Sequence, residues 1–364
     1  MRVPAMPNAH SHAFQRGLRG RAERPAGEGD DFWSWREAMY ELAGKLDPAS
    51  LERAALATYR DMAAAGYGAV GEFHYIHHQP GGSPYEDPNA MAKAVARAAR
   101  GAGIEIVLLP AAYARAGPGR PPEPRQRRFC DPSADAFLAR VEELRSWAGG
   151  EPGVSVGVAA HSTRAVPADW LEAIAGWSER HGAVRHVHAA EQPREVGEVQ
   201  AEHGCSPIEL LGRTGFLGAR ASVVHAIHVS ARDVELLADS GATVVSCPTT
   251  EGNLGDGHPP LLAFRDAGVP LAIGSDSQVR LDPFEEAREL ETLARREGLT
   301  RDALLAAGGD LWGELCRAGA RSLGIAEVGE VELDTGHPDL RGIEPEDLPL
   351  ALVTCASAGV VRRA

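Results

Sequence analysis

An α/β fold, a (β/α)8 barrel of TIM type, is what this 364-residue chain predicts, and three observations carry that expectation. Short β-branched runs alternate with alanine-rich helical stretches, the pattern of repeated strand–helix units. Eight such runs can be picked out, enough strands to close a barrel. Histidines and one aspartate stand where several of those strands end, and the C-terminal strand ends are where such a barrel builds its active site.

Taken in order, the strands are expected to end near His12, Tyr75, Tyr113, His161, Ala190, His225, Cys247 and Ser275. Helices are expected over Leu51–Ala65, Asn89–Gly101, Ala134–Trp147, Ala168–His181, Ala231–Ser240 and Phe284–Arg296. Two stretches read as long loops. Phe14 to Trp35 is Gly/Arg-rich and runs into Phe32-Trp33-Ser34-Trp35-Arg36; Ala114 to Pro132 is Pro/Arg-rich. On a catalytic face, loops of that length serve as lids or substrate walls. The tail after Gly324 has a few extended residues, Val328 to Leu333, and then a Pro/Asp-rich stretch. The expected organisation is a barrel over residues 1–325 and, over 326–364, a remnant of a small β-domain or a tail.

Composition narrows the function. Hydrophobic residues at 44% and charged residues at 24% are ordinary for a globular chain. A net charge of −14 argues against nucleic acid or an anionic membrane surface as partner. An anionic small substrate would need local arginines to overcome that field. Five cysteines, at 130, 205, 247, 316 and 355, form no CxxC pair, so neither a disulfide framework nor a thiolate zinc site is expected. No secretory or membrane-spanning apolar run is present, and a cytoplasmic location is expected.

The chemistry lies in scattered polar residues. His10 and His12 are two apart, so on a strand both face the same side, toward the barrel mouth. His188 ends the fifth strand, with Glu191 three residues on as an unligated proton carrier. His186 shares the facing of His188 by alternation and is its rival, though a position deeper in the barrel is the expected one. Asp276 follows the apolar run Val269–Ile273 and would supply the carboxylate; His225 would orient a water or face developing charge. Three imidazoles and a carboxylate suit one Zn2+ per chain, with Fe2+ or another divalent ion as alternatives. A bound Zn2+ lowers the pKa of its water from about 15.7 to about 7, so the set points to metal-assisted hydrolysis. His74, His77 and His78 read as mouth-wall residues, His228 as a loop histidine, and Trp33 and Trp35 as lid packing.

Asn8-Ala9-His10-Ser11-His12-Ala13-Phe14-Gln15-Arg16, Gly71-Glu72-Phe73-His74-Tyr75-Ile76-His77-His78 and His188-Ala189-Ala190-Glu191-Gln192 resemble the formimidoylglutamate deiminase family, in the mononuclear deaminase-like branch of the amidohydrolase superfamily. The resemblance spans residues 4 to 325. It implies hydrolysis of the formimino C=N of N-formimino-L-glutamate to N-formyl-L-glutamate and ammonia, a step of histidine degradation. It implies zinc on His10, His12, His188 and Asp276. Asp276 would take the proton of the attacking water, Glu191 would protonate the departing nitrogen, and His225 would help activate the water. For substrate it implies Gln15, Arg36, Tyr75, His161 and Arg164. Two arginines suit a dicarboxylate, because a guanidinium fork holds a carboxylate through paired charge-assisted hydrogen bonds. The resemblance further implies a homodimer and a terminal β-sandwich, the latter missing or much reduced here. Two other readings compete. One is a deaminase of another small amine, imine or nucleobase, whose ring would call for an aromatic or amide-bearing pocket. The other is a non-catalytic metal-binding remnant.

Overall fold

The computed structural model describes residues 1–23, 31–305 and 309–362. Eight parallel strands lie side by side in chain order: β1 (Met6–Ser11), β2 (Tyr67–His74), β3 (Glu105–Ala112), β4 (Val158–Ser162), β5 (Arg185–Ala189), β6 (Ala221–His225), β7 (Thr243–Ser246) and β8 (Leu271–Ile273). β3, β6 and β7 are near-continuous apolar runs, as strands covered on both faces require, whereas β1 and β5 carry the polar residues Asn8, His10, Arg185, His186 and His188. β8 meets β1 through a single bridge, Ser11 to Asp276. The His10 carbonyl accepts from the N–H of Ser275 (3.1 Å) and of Asp276 (3.0 Å), and His12 N–H donates to the Asp276 carbonyl (3.0 Å). The ring closes at the residues that matter chemically. A short strand, Val154–Val156, also pairs with β3, and Arg2–Pro4 pairs antiparallel with Glu330–Glu332.

Helices Ala168–His181 and Ala231–Ser240 fall where the sequence places them. Those expected at Leu51, Asn89, Ala134 and Phe284 run Pro48–Ala65, Ala90–Ala102, Ala134–Ala148 and Pro283–Gly298. Local chemistry sets the limits. Asp47 and Ser50 form a capping box ahead of Pro48, and Gly66 ends that helix in the left-handed conformation. Small side chains, Ala9, Val224, Val245, Ala272, Cys247 and Ala318, seat the helix Leu311–Leu323 across β1, β7 and β8.

The expected loop from Phe14 to Trp35 needs correction. Residues 24–30 of it lie outside the described residues, but Ala13–Leu18 is a 3-10 helix and Phe32–Gly44 is an α-helix. Asp31 accepts from the N–H groups of Trp33 (2.9 Å) and Ser34 (3.2 Å), while Ser34 returns the bond. Trp33, Trp35 and Arg36 therefore ride on a capped helix. The stretch Ala114 to Pro132 is irregular except for a 3-10 turn at Arg127–Phe129. Buried Arg128 pins it, donating to the carbonyls of Ala43, Leu46 (3.0 Å) and His78 (3.0 Å). No helix among the described residues is long and apolar enough to cross a membrane.

Candidate active site

β1, β5 and the turn after β8 bring four distant residues together. The ligand atoms of His10, His12 and His188 lie within 4.8 Å of one another. His10 Nε2 is 3.0 Å from His188 Nε2, and Asp276 Oδ1 is 3.4 Å from the Nε2 atoms of both His10 and His12. The opposite ring nitrogens of His12 and His188 are spoken for, while Nδ1 of His10 is buried without a partner among the described residues. His12 Nδ1 donates to the Phe73 carbonyl (2.8 Å) and His188 Nδ1 to the His161 carbonyl (2.7 Å). A carbonyl only accepts, so both Nδ1 atoms carry the proton and both Nε2 lone pairs face the shared centre.

Burial lowers the pKa of His10 to about 3 and lowers that of His12. For His188 burial acts first and the neighbouring imidazoles add to it, leaving it well below the usual value. Burial alone would raise Asp276, but its hydrogen bond to His10 and the nearby imidazoles hold it well below the usual carboxylate range. Neutral imidazoles converging on an ionised carboxylate are the donor set of a divalent cation, and these residues fit one.

Beside them stands a proton-handling group. His225 Nε2 lies 3.6 Å from Glu191 Oε1 and 4.0 Å from Asp276 Oδ2. Burial raises the Glu191 pKa, with Asp276 adding to it and His225 opposing. Burial would lower His225, but the charge of Glu191, the hydrogen bond that the ring donates to Glu251 and the charge of Asp276 outweigh it and push the ring up to about 10. Sequence reasoning did not pick out Glu251. Its Oε1 meets His225 Nδ1 at 3.2 Å and Cys247 N–H at 2.8 Å, and its Oε2 accepts from Ser246 Oγ at 2.8 Å. His225, Cys247 and Glu251 also converge as potential ligands, but both carboxylate oxygens already have donors. The signal was an acid four residues beyond a strand-end cysteine.

The backbone around these groups is strained. Ala190, His225, Ala226, Asp276 and Gln278 all take positive φ, between 42° and 74°. Non-glycine residues pay about 1–3 kcal/mol each for sparsely populated geometry, and they hold it only where the surroundings dictate it. Around Asp276 they do. Asn8 Nδ2 donates to Ser275 Oγ (2.6 Å), which donates to Gln278 Oε1 (2.7 Å). Gln278 Nε2 then donates to Ser11 Oγ (2.9 Å) and to the Asp276 carbonyl (2.7 Å), and Ser11 donates to Glu72 (2.7 Å). This chain of side chains stitches the barrel seam where ladder bonds are few.

Gln15, Arg36, Tyr75, His161 and Arg164 all line one pocket with His12, His188, Glu191, His225 and Asp276. Gln15 Nε2 donates to the Tyr75 hydroxyl (2.8 Å), and Tyr75 in turn points its proton at Met39 Sδ (3.4 Å). The guanidinium carbons of Arg36 and Arg164 sit 4.6 Å and 5.8 Å from the centre of the Trp33 ring. Trp35 packs against the core, whereas Trp33 lines the pocket and lies against both of these guanidinium groups as well as that of Arg194, at 4.4 Å. Arg164 donates to the Ala116 carbonyl, whereas Nε and Nη1 of Arg36 are buried without a partner. Burial holds His161 well below its usual pKa, hence neutral.

The other histidines do not join. His186 Nε2 turns to the Ser322 carbonyl (2.9 Å), deeper in the molecule, and His228 to the Asp256 carbonyl (3.0 Å). Among the described residues, His74, His77 and His78 enter no convergent ligand group. Arg16 and Arg125 pair with Asp61 and Glu37 at the surface.

A parallel barrel with imidazoles and carboxylates at its strand ends defines a metal-dependent hydrolase. The chain belongs to the Amidohydrolase family, whose profile matches residues 1–333. It is 40% identical to formimidoylglutamate deiminase of Pseudomonas aeruginosa, over 88% of this chain and 72% of that protein. It is 28% identical to 5-methylthioadenosine/S-adenosylhomocysteine deaminase 2 of Archaeoglobus fulgidus, over 82% of this chain and 65% of that one. The crystal structure of an amidohydrolase from Brucella melitensis superposes with a TM-score of 0.91 at 36% identity, covering 99% of this chain and 84% of that one. The chain is a hydrolase of C–N bonds other than peptide bonds.

Proposed function

We propose that the chain hydrolyses the formimino C=N bond of N-formimino-L-glutamate, yielding N-formyl-L-glutamate and ammonia. The observation that carries this reading is the polarity of the pocket. Arg36, with buried donors unspent, and Arg164 gather on Trp33, while Glu191 and Asp276 stand with the histidines. The substrate has matching ends: two carboxylates, and an amidine that is a cation in neutral water. The likeness to the Pseudomonas aeruginosa deiminase supports the same reading.

His10, His12, His188 and Asp276 would hold one divalent cation, with Zn2+ favoured by a donor set of imidazoles and carboxylate. When bound, such an ion supplies the Lewis acidity that makes water a nucleophile near neutral pH. Asp276 takes the proton as the water oxygen adds to the formimino carbon. Glu191, its pKa raised by burial, carries a proton near neutrality and delivers it to the terminal nitrogen. The C–N bond then breaks and ammonia leaves, while the hydroxyl of the adduct gives its hydrogen to the Glu191 carboxylate as the formyl carbonyl forms, and Asp276 releases its proton to the ammonia. Cationic His225 lies between the two carboxylates and keeps their charges compatible at close range. Arg36 and Arg164 hold the substrate carboxylates, with Gln15, Tyr75 and His161 walling the space between.

The test is ammonia release by zinc-loaded protein from formiminoglutamate, formiminoglycine, guanine, cytosine and S-adenosylhomocysteine. Formiminoglutamate is expected to give the highest kcat/KM. Turnover of a nucleobase without turnover of formiminoglutamate would move the chain to another deaminase. A folded, zinc-loaded sample inert to the whole panel would mark a non-catalytic remnant.

A further inference from the structure

We infer that Gln126, in the irregular stretch between β3 and β4, turns the phenols of Tyr40 and Tyr113 so that at least one O–H is presented to the pocket as a neutral donor for a substrate carboxylate, with Tyr40 the contacting residue and Gln126 the positioning one. This rests on the dicarboxylate reading above and adds residues to it.

Gln126 is fully buried, and its Oε1 accepts the Glu123 backbone N–H at 2.8 Å. Only an oxygen can meet an N–H there, so the amide cannot be flipped. Its Nε2 must then spend both hydrogens, and it does: one on the Tyr40 hydroxyl at 2.9 Å and one on the Tyr113 hydroxyl at 3.0 Å. Each phenol oxygen is therefore an acceptor toward Gln126, and each phenol hydrogen must go elsewhere.

The Arg164 guanidinium adjoins the Tyr113 hydroxyl and is a further donor to it, not an acceptor. The two hydroxyls adjoin each other, so at most one of their hydrogens is taken up between them. No other acceptor is offered to either among the described residues. What remains points into the pocket, which both rings line beside Arg36 and Arg164. Tyr40 is a helix residue one turn past Arg36, within 5.3 Å of its guanidinium carbon, so the donor and the cation share a face. Burial raises the Tyr40 pKa, which keeps its proton on. A cationic ligand end would leave these donors unpaired; a carboxylate, beside the cationic Arg36, uses them.

Tyr40→Phe keeps the ring and removes only the hydroxyl. It should raise KM for formiminoglutamate roughly 10- to 100-fold, the range for a hydrogen bond to a charged group, with kcat within a few-fold. Gln126→Glu keeps an oxygen for Glu123 N–H but offers the phenols an acceptor, turning their hydrogens inward. It should raise KM in the same way, with folding checked by thermal unfolding. Each rise should largely vanish on one of two amidine analogues, each lacking one carboxylate, because the contact is already gone. A role confined to packing would leave KM unmoved in Tyr40→Phe, or would raise it equally for all three substrates; either result overturns the inference. Wild-type protein that turns over no formiminoglutamate overturns the substrate reading, and this inference with it. Normal wild-type turnover with an unaffected Tyr40→Phe overturns this inference alone.

Discussion

Replacing Gly274 with alanine tests how the ligand cluster is held together. A Cβ at this position would lie 2.8 Å from His10 Cβ, 2.8 Å from the His10 carbonyl oxygen and 3.0 Å from Cys247 Sγ. None of these is the free end of a long side chain, so β1 and β8 must part by roughly half an ångström, an overpacking worth about 1–3 kcal/mol. Unfolding entropy of about 2.1 cal/mol/K per residue makes that a fall of roughly 1–4 °C in Tm for a chain of this size. The larger effect is local. The displaced strand carries His10, whose carbonyl also takes the N–H of Asp276, so two of the four candidate ligands shift against the other two. Disturbing the groups that orient ligands weakens metal binding about 10- to 100-fold. Zinc titration of the apo protein against a chromophoric chelator measures this, with thermal unfolding alongside. Gly197→Ala is the control: it is exposed within the helix Pro193–His203 and nothing lies within 4 Å of its added carbon. That change should stabilise by about 0.5–1 kcal/mol and leave zinc affinity alone. Wild-type zinc affinity in Gly274→Ala would refute the idea that this close approach holds the cluster.

Glu191→Gln should lower kcat by about 10²–10⁴-fold while leaving zinc stoichiometry intact, because it removes a proton carrier and no proposed ligand; near-normal turnover with metal bound would remove Glu191 from the mechanism. Leu299 ends the helix Pro283–Gly298 in the left-handed region (φ 49°) with 93% of its surface exposed. Leu299→Gly relieves a strain of about 1–2 kcal/mol and gives back part of it as unfolded-state entropy, so a net gain of about 0.5–1 kcal/mol should appear in the denaturation midpoint. Burial pushes the Glu286 carboxyl from 4.5 up to about 8, its hydrogen bonds from Thr249 offsetting only part. The folded protein then binds that proton more tightly than the unfolded chain, so this group costs nothing below pH 4.5 and an increasing amount as pH climbs to about 8. Glu286→Gln should therefore raise Tm relative to wild type at pH 8 more than at pH 5; an equal difference at both would show that the burial cost is not expressed.

Much of this molecule was legible without coordinates. The alternation of apolar runs and amphipathic stretches located the eight strands and six of the helices, because both periodicities are local properties of the backbone. The spacing of His10 and His12, and the strand-end positions of His188, His225 and Asp276, followed from the same rule. The helix at Phe32–Gly44 was missed although Asp31 and Ser34 spell a capping box, because an aromatic run behind a Gly/Arg-rich stretch shows no clean apolar stripe.

Relations between residues far apart in the chain came from the three-dimensional packing alone. Glu251 bonds His225 across 26 positions, Gln126 reaches Tyr40 across 86, and Gln278 joins Ser11 across 267. No local period encodes such pairs. They arise when the closing ring brings β8 against β1, and Gly274 permits that approach where any side chain would clash. The choice between His186 and His188 shows the same division. Alternation gives them one facing, but height along the strand sends His186 to the Ser322 carbonyl and His188 to His10. Local patterning marks which residues can do chemistry; barrel closure selects which of them meet.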